Sequence, residues 1–588
     1  MSNSNRTANV PVVGSNASAP SEDLILIDEV NFPLQNVYTP VENCCTTSSH
    51  SNINKVKDGV TNALLRLGEE QGLFSVKRIS NAQKEQFCHN TYDMRDSFRK
   101  VVDYSHPDQT FTLTCFTLSG KKNLDICTKD AKKAFSTLDL GSSNILPYKY
   151  ESSYDKLGNV VVSPPSKKDA FGTIIIGSQT PEVLAGILGG DSNALKFTWA
   201  PACGSNIVET NFTNANEANR SYLMKKRAVY CTETPLSFDF SKLILKGEDN
   251  NQSGPSDNFR EILTRFRRQR VLEIYTGWLE VGHADEIISF IPYPKDQSKF
   301  GFKVLLASPK KFIEMWRSKA ASEPANSSLC LFKKRLNLLT PDDTPGKKSY
   351  NSRDTNGLLF QRFLQAKYKV GLELQYRDCP IKIKDFDKPD KRPLIEFNLW
   401  LQSAILDKIK QQIIHELDIY EGDIIDIPIL YIGPDELFSP LNATGRNWGL
   451  ERKETNTDLN FIVKTFKALY ENFGVYHISN NFINSLYSSN YIVSPILEDN
   501  LNSIEYIRAQ VIRPGCIEKI YDVVDEWTTV KYQHGGLHCY TTETRDISRL
   551  AEVYPYREAR GGRRKRSLTK KSRKNKVRRA KSTRTRKY

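Results

Sequence analysis

Apolar positions along this chain fall into two alternating patterns. Residues 110–118, Thr-Phe-Thr-Leu-Thr-Cys-Phe-Thr-Leu, alternate β-branched and large apolar side chains, which predicts a strand with one face toward a core. Val160-Val161-Val162 predicts a second strand, ended by Ser163-Pro164-Pro165 because proline donates no ladder hydrogen bond. Thr173–Ile176, Glu273–Tyr275 and Lys303–Leu306 are short apolar runs of the same kind. Helical period appears over 258–270, with apolar side chains at 259, 262, 263 and 266. It returns more clearly over 399–417 (Leu401, Ile405, Ile409, Ile413, Ile414, Leu417) and again over 458–473. Leu24–Ile27 and Ala63–Leu67 mark ordered structure nearer the start. Strands interspersed with helices predict an α/β protein.

The polar segments set the expected boundaries. Residues 1–22 are small and polar without hydrophobic period, which predicts a disordered leader. The body is expected over 23–558, with Asn/Thr/Ala-rich sequence inside 166–236 predicting an insertion. Residues 247–257 and 340–357 have loop composition. No repeat recurs at a fixed period.

Composition narrows the class. The chain has 588 residues, 39% of them hydrophobic, enough for a sizeable core. No apolar run reaches the roughly 18 residues that would span a bilayer. The residues after Met1 hold no apolar segment of the secretory type. Eleven cysteines carry no Cys-x-x-Cys and no zinc-like spacing, so free thiols in a reducing compartment, cytoplasm or nucleus, are expected. The net charge of +15 is a property of the end of the chain: 563–588 hold 15 Lys/Arg and no acid, leaving 68 residues of each sign in 1–562. A tail over 559–588 is expected to be disordered, and to act as a nuclear address or contact nucleic acid through phosphates. Residues 560–588 also hold nine arginines, so the tail could serve as a self-substrate. Oligomeric state is left open.

Three segments carry the chemistry. His534-Gly535-Gly536-Leu537-His538-Cys539 places a thiol beside two histidines, whose positive charge would lower a thiol pKa. Gly282-His283-Ala284-Asp285 offers an imidazole and a carboxylate two residues apart, on one side of the chain if 281–292 is extended. Asp93-Met94-Arg95-Asp96 adds a further carboxylate. Two carboxylates can hold a planar guanidinium through paired charge-assisted bonds. A thiolate can attack its carbon, and a histidine can protonate departing ammonia and then activate water. Cys539, His283, Asp285 and Asp96 supply that set.

Taken in order, these segments resemble the peptidylarginine deiminases, part of the guanidine-modifying superfamily. Tyr275–Pro292, containing Trp278-Leu279-Glu280-Val281-Gly282-His283-Ala284-Asp285-Glu286, is similar to the family's WLxVGHxDE segment. Gly158-Asn159-Val160-Val161-Val162-Ser163-Pro164-Pro165 resembles GNLEVSPP, and His534–Cys539 resembles HGEVHC. Gly301–Pro309, Asp423–Pro428 and Asn481-Phe482-Ile483-Asn484 also match in order. The resemblance implies a pentein-type, five-bladed α/β propeller. It makes Cys539 the nucleophile, His283 the general acid and base, and Asp285 and Asp96 the guanidinium-binding carboxylates. The implied reaction turns peptidyl-arginine into peptidyl-citrulline and ammonia through a covalent cysteine intermediate, with arginine-containing proteins as partners.

This chain departs from the family at several places. Asp93 stands where the family has Trp, only Lys149 lies near the expected backbone-binding Arg, and Gln533 replaces another Arg. These changes favour, as an alternative, free arginine or a small guanidine as substrate. A further alternative is a catalytically weak nucleic-acid-binding scaffold. Tyr540 follows the cysteine where the family has Gly, and is expected to narrow the pocket mouth. The family's calcium-binding glutamates correspond to Ser97, Arg99 and Val161 or their neighbours, so the calcium sites are expected to be missing and no metal ligand is assigned. With Asp96 so early, room for both N-terminal immunoglobulin-like domains of the animal enzymes is not expected.

Overall fold

The computed structural model describes residues 23–40, 51–80, 83, 94–118, 123–138, 140, 144–191, 193–199, 236–239, 254–279, 281–322, 329, 331, 382–387, 392–432, 475–477, 479, 481–495, 499–523 and 536–554. Two compact units are present, Met1–Ile547 and Ser548–Tyr588. The sheets and the candidate site all lie in the first. Most of the second, including 563–588, falls outside the described residues, as does the helix expected over 458–473. Among the described residues no helix is long and apolar enough to cross a membrane.

Among the described residues, the first unit contains five sheets of three or four strands that repeat one local plan. In each, a central strand pairs antiparallel with one neighbour and parallel with another. The central strands are Thr110–Phe116, Thr173–Ser178, Phe302–Ser308, Tyr491–Pro495 and Leu34–Pro40. Their parallel partners are Asn144–Lys149, Arg270–Tyr275, Ile424–Pro428, Lys519–Val523 and Ser75–Ile79. A parallel pair needs a long crossover, and each crossover here contains helix. Examples are Leu124–Ser136, started by Asn123 accepting from the Ile126 amide, and Ser503–Val511. The antiparallel partners are Phe98–Asp103, Val160–Val162, Ile288–Pro292, Leu486–Tyr487 and Thr542–Arg545. The last sheet joins strands from near the two ends of this unit, Leu34–Pro40 and Thr542–Arg545.

Several expectations change. Thr173–Ser178, placed in an insertion from its surroundings, is the buried middle strand of its sheet; its Ile174-Ile175-Ile176 run is apolar on both faces because both are covered. The helix expected over 258–270 stops at Leu263, and a strand begins at Arg270. Tertiary pairing overrides the period there. The Gln269 side chain bonds both the amide and carbonyl of Leu26, and Arg270 onward pairs with Thr173 onward. The helical stretch Arg392–Leu417 is interrupted by a π-turn at Gln402–Leu406. There Gln402 turns aside to bond Ser308 and Asp407. Cys115, Cys516 and Cys539 are free thiols, whereas Cys127 is disulfide-bonded, so the expectation of free thiols throughout fails there. Spacing along a chain does not report proximity in space.

Candidate active site

The repeated sheet plan explains how residues hundreds of positions apart meet. Each sheet's antiparallel partner strand is preceded, two or three residues earlier, by a residue of the site. Asp96 precedes Phe98, Gly158 precedes Val160, Asp285 precedes Ile288, Asn484 precedes Leu486 and Cys539 precedes Thr542. The structure brings together all four side chains singled out from sequence. Donor atoms of His283, Asp285 and Cys539 lie within 4.8 Å of one another. Asp96 joins through Gly158, whose amide donates to Asp96 Oδ1 at 3.1 Å. A Cβ on Gly158 would stand 2.9 Å from Asp96 Oδ1 and 3.1 Å from His283 Nδ1, so only glycine lets the carboxylate and imidazole close on this backbone.

His283 and Asp285 do not sit on an extended segment as expected. They enter a 3₁₀ turn, Ala284–Glu286, and the strand starts only at Ile288. The Glu286 carboxylate accepts the His283 amide at 3.1 Å, and Asn159 Oδ1 accepts the Ala284 amide at 3.0 Å. These two acceptors, one local and one 125 residues away, hold the turn.

Cys539 lies in a single helical turn, Leu537–Tyr540, and is 1% exposed. Its Sγ is 3.4 Å from both Asp285 Oδ2 and Asn484 Nδ2. Asn484, matched as part of a motif but given no role from sequence, ties the site together. Its Oδ1 accepts the His538 amide at 3.0 Å and its Nδ2 donates to Asp285 Oδ2 at 2.9 Å. That approach requires glycine at 536, where a Cβ would lie 2.0 Å from Asn484 Oδ1. Tyr540 does not line a pocket mouth: it is buried and its hydroxyl lies 3.1 Å from Thr61 Oγ1.

Sequence reading also missed a buried charged layer behind the site. The His538 ring stands between Asp285 Oδ2 at 2.7 Å and Glu29 Oε2 at 2.9 Å. Glu29 pairs in turn with Arg95 and with Arg99 at 3.1 Å. Arg95 also pairs with Glu543, and Arg545 lies 3.3 Å from Glu543. Burial, then Arg95, push the His538 imidazole below its ordinary value, against the pull of Asp285. Asp285 moves down as well, because His538 and His283 outweigh the upward push of burial. The two shifts conflict, since a neutral His538 would not lower Asp285. Geometry decides between them. Each ring nitrogen faces a carboxylate oxygen, and two such contacts need two protons, which favours the imidazolium.

Buried polar atoms of the site residues lack an aligned hydrogen bond among the described residues: Asp96 Oδ2, Asp285 Oδ1 and both nitrogens of His283. Asp96 Oδ2 has the Lys156 ammonium 3.4 Å away as an ion pair. Buried polar atoms are ordinarily satisfied, so a cluster of them marks a place where a polar ligand fits. A guanidinium, with five N–H donors in a plane, matches two carboxylates on such a cluster.

His283 is held below its ordinary value of 6.5, mainly by burial, although Asp96 and Asp285 pull it upward. The sign of the effect on stability follows. Above 6.5 the ring is neutral both folded and unfolded. Below it, the unfolded chain takes up a proton that the folded chain resists, so stability falls as pH drops toward the folded value. Thermal unfolding between about pH 7 and 5 is expected to show this loss, and His283→Gln is expected to flatten it. An unchanged slope in the variant contradicts the assignment.

The family model for protein-arginine deiminase (PAD) matches residues 243–549. Human protein-arginine deiminase type-1 is 29% identical over 203 residues, covering 34% of this chain and 23% of that protein. Mouse type-3 is 27% identical over 172 residues, covering 29% of this chain and 19% of that protein. The matched stretches therefore span about a fifth of the relatives' own lengths. Among solved structures, the agmatine deiminases of C. jejuni and Enterococcus faecalis cover 90% and 89% of this chain and 99% and 96% of their own. Their TM-scores are 0.35 and 0.36 at 9% and 10% identity, too low to decide the fold. The family model alone accounts for more than half of the residues, and this chain belongs to the protein-arginine deiminase family.

Proposed function

We propose that this chain hydrolyses the guanidinium of arginine within proteins, giving citrulline and ammonia. The observation that carries the reading is the convergence of His283, Asp285 and Cys539 within 4.8 Å, with the buried carboxylate of Asp96 joined to the cluster through Gly158 and Asp285 Oδ1 left without a hydrogen bond among the described residues. The five like-built sheets, each contributing one residue at the same point before a strand, support a five-bladed propeller around this site.

In the proposed cycle Asp96 and Asp285 hold the guanidinium, and the substrate cation displaces the Lys156 ammonium from Asp96. Burial keeps His283 neutral at rest, so the thiol and the imidazole share one proton. Transfer of that proton to His283 makes a thiolate, which is the attacking species. Sγ bonds to the guanidinium carbon and gives a tetrahedral adduct. His283 returns the proton to one nitrogen, the C–N bond breaks, and ammonia leaves. Water then adds to the S-alkyl thiouronium carbon, giving a proton to His283. The C–S bond breaks, His283 returns its proton to Sγ, and the ureido product departs neutral, its excess proton taken up by the released ammonia. One water is consumed and one ammonium released.

A second reading, free arginine or a small guanidine as substrate, has a specific observation behind it. Lys149, at the place of the family's backbone-binding Arg, is engaged with Glu151 at 2.9 Å. Citrulline and ammonia should be measured on arginine-containing peptides beside free arginine. Higher kcat/KM on peptides is expected. Turnover of free arginine alone selects the second reading, and no ureido product from any guanidine rejects both.

A further inference from the structure

Arg95 and Arg99 are nearly the last side chains expected in a buried layer, being 0% and 5% exposed. The positions after Asp96 are also where the family resemblance places calcium ligands. Calcium takes six to eight oxygens. The residues present do not fit such an ion. Arg99 directs a guanidinium to the Val160 carbonyl at 2.8 Å and to Glu29 Oε1 at 3.1 Å, and the Val161 side chain is packed in the apolar core. One donor atom each of Glu29, Glu543 and His538 lie within 4.8 Å of one another, but both carboxylates are already paired with Arg95. Guanidiniums therefore stand among the oxygens a dication would need, and their charge repels one.

We propose that Arg95 and Arg99 act as resident cations that assemble the site in place of a bound metal. The segments they join are the ones that carry it. Arg99 ties the strand that follows Asp96 to Val160, two residues beyond the Gly158 amide that fixes Asp96 Oδ1. Arg95 reaches Glu29 and Glu543, while its own amide donates to the Cys539 carbonyl at 3.1 Å. Glu29, so held, supports His538, which supports Asp285. Three carboxylates (Glu29, Glu543, Asp285) and three guanidiniums (Arg95, Arg99, Arg545) thus form one network with the His538 ring. A guanidinium offers fixed directions that a calcium ion does not, so the geometry is built in by sequence and does not depend on ion supply. Both arginines are positioning residues, since they act through Asp96, Asp285 and Cys539.

The test uses the full chain. Calorimetric titration and thermal unfolding with calcium chloride at roughly 1 mM, enough to fill even weak oxygen sites, are expected to show no binding heat and no shift in Tm. Saturable binding with a raised Tm overturns the proposal. Neither measurement needs turnover, so the result stands apart from the fate of the arginine-hydrolysis reading. In the activity arm, Arg99→Met is expected to lower kcat/KM roughly 100-fold, as displacement of a reacting group by about an ångström does. Arg99→Lys, which keeps the charge, is expected to recover part of that loss. Full activity in Arg99→Met, or equal losses in the Met and Lys variants, contradicts a role for the charge. If Arg99→Met fails to fold, the calcium titration of the unaltered chain still decides.

Discussion

Replacing Cys539 with alanine is expected to abolish citrulline and ammonia release, with kcat falling at least about 10⁴-fold, as removal of a covalent nucleophile does. The fold should survive. Cys539 is buried at 1% exposure, and only a sulfur is lost, so the cost is a small cavity of about 1 kcal/mol. Asp285 Oδ2 and Asn484 Nδ2, which touch the thiol, keep each other at 2.9 Å, and Asp285 keeps His538 at 2.7 Å. The variant should therefore melt close to the unaltered chain while turning over nothing. Steady-state ammonia release beside a melting curve checks both halves. Activity within tenfold of the starting protein would remove Cys539 from the chemistry.

Asp285→Asn is expected to have the next largest effect, on both activity and stability. The carboxylate has two faces. Oδ1 is buried and unpartnered toward the cluster, where it would receive the substrate cation. Oδ2 accepts from Asn484 at 2.9 Å and meets His538 at 2.7 Å. An amide in its place keeps the shape but loses the charge, and one of its two arms becomes a donor facing donors. Loss of a preorganised charged contact to the reacting group should lower kcat/KM by roughly 1,000-fold. Breaking a buried charge partnership should cost about 3 kcal/mol of stability. Asp96→Asn serves as the contrast. Its ion partner Lys156 is 18% exposed and can turn to water, so a comparable activity loss with a smaller stability loss is expected. Urea unfolding and kcat/KM for the two variants, measured side by side, separate these roles.

Three of the four core side chains stand among unusual neighbours, with glycines beside Cys539, a glycine before His283 and the Asp285 carboxylate two residues on, whereas Asp96 is legible only through the resemblance of Met94-Arg95-Asp96 to the family's aspartate motif. Asn484 was not legible. It lies in Asn480-Asn481-Phe482-Ile483-Asn484, where three asparagines look alike, and its role arises only when the amide of His538 arrives from 54 residues away. Glu29 was invisible for the same reason, since its partners Arg95, Arg99 and His538 come from distant segments. The 3₁₀ turn at Ala284–Glu286 could not be told from an extended segment in the sequence because His-x-Asp fits either geometry, and the deciding bond, from the Ala284 amide to Asn159, is non-local. Short apolar runs located strands well. They could not reveal that five sheets share one plan, because what recurs is a strand pairing order and a position before a strand. Neither leaves a repeated residue pattern. The segment 166–236 misled through its polar part, most of which lies outside the described residues, while Thr173–Ser178 at its start is core.

Covalent attachment at Cys539 is the step of the proposed cycle that a measurement reaches most directly. An arginine substrate should be mixed with the full chain, quenched in acid during turnover, and the digested protein mapped by mass spectrometry. A substrate-derived thiouronium adduct confined to the peptide carrying Cys539 is the predicted result, and it is lost when His283 is changed to Gln, because that ring both takes the thiol proton and protonates the departing nitrogen. Steady ureido-product release with Cys539 unmodified, or with the adduct on Cys115 or Cys516, would contradict it.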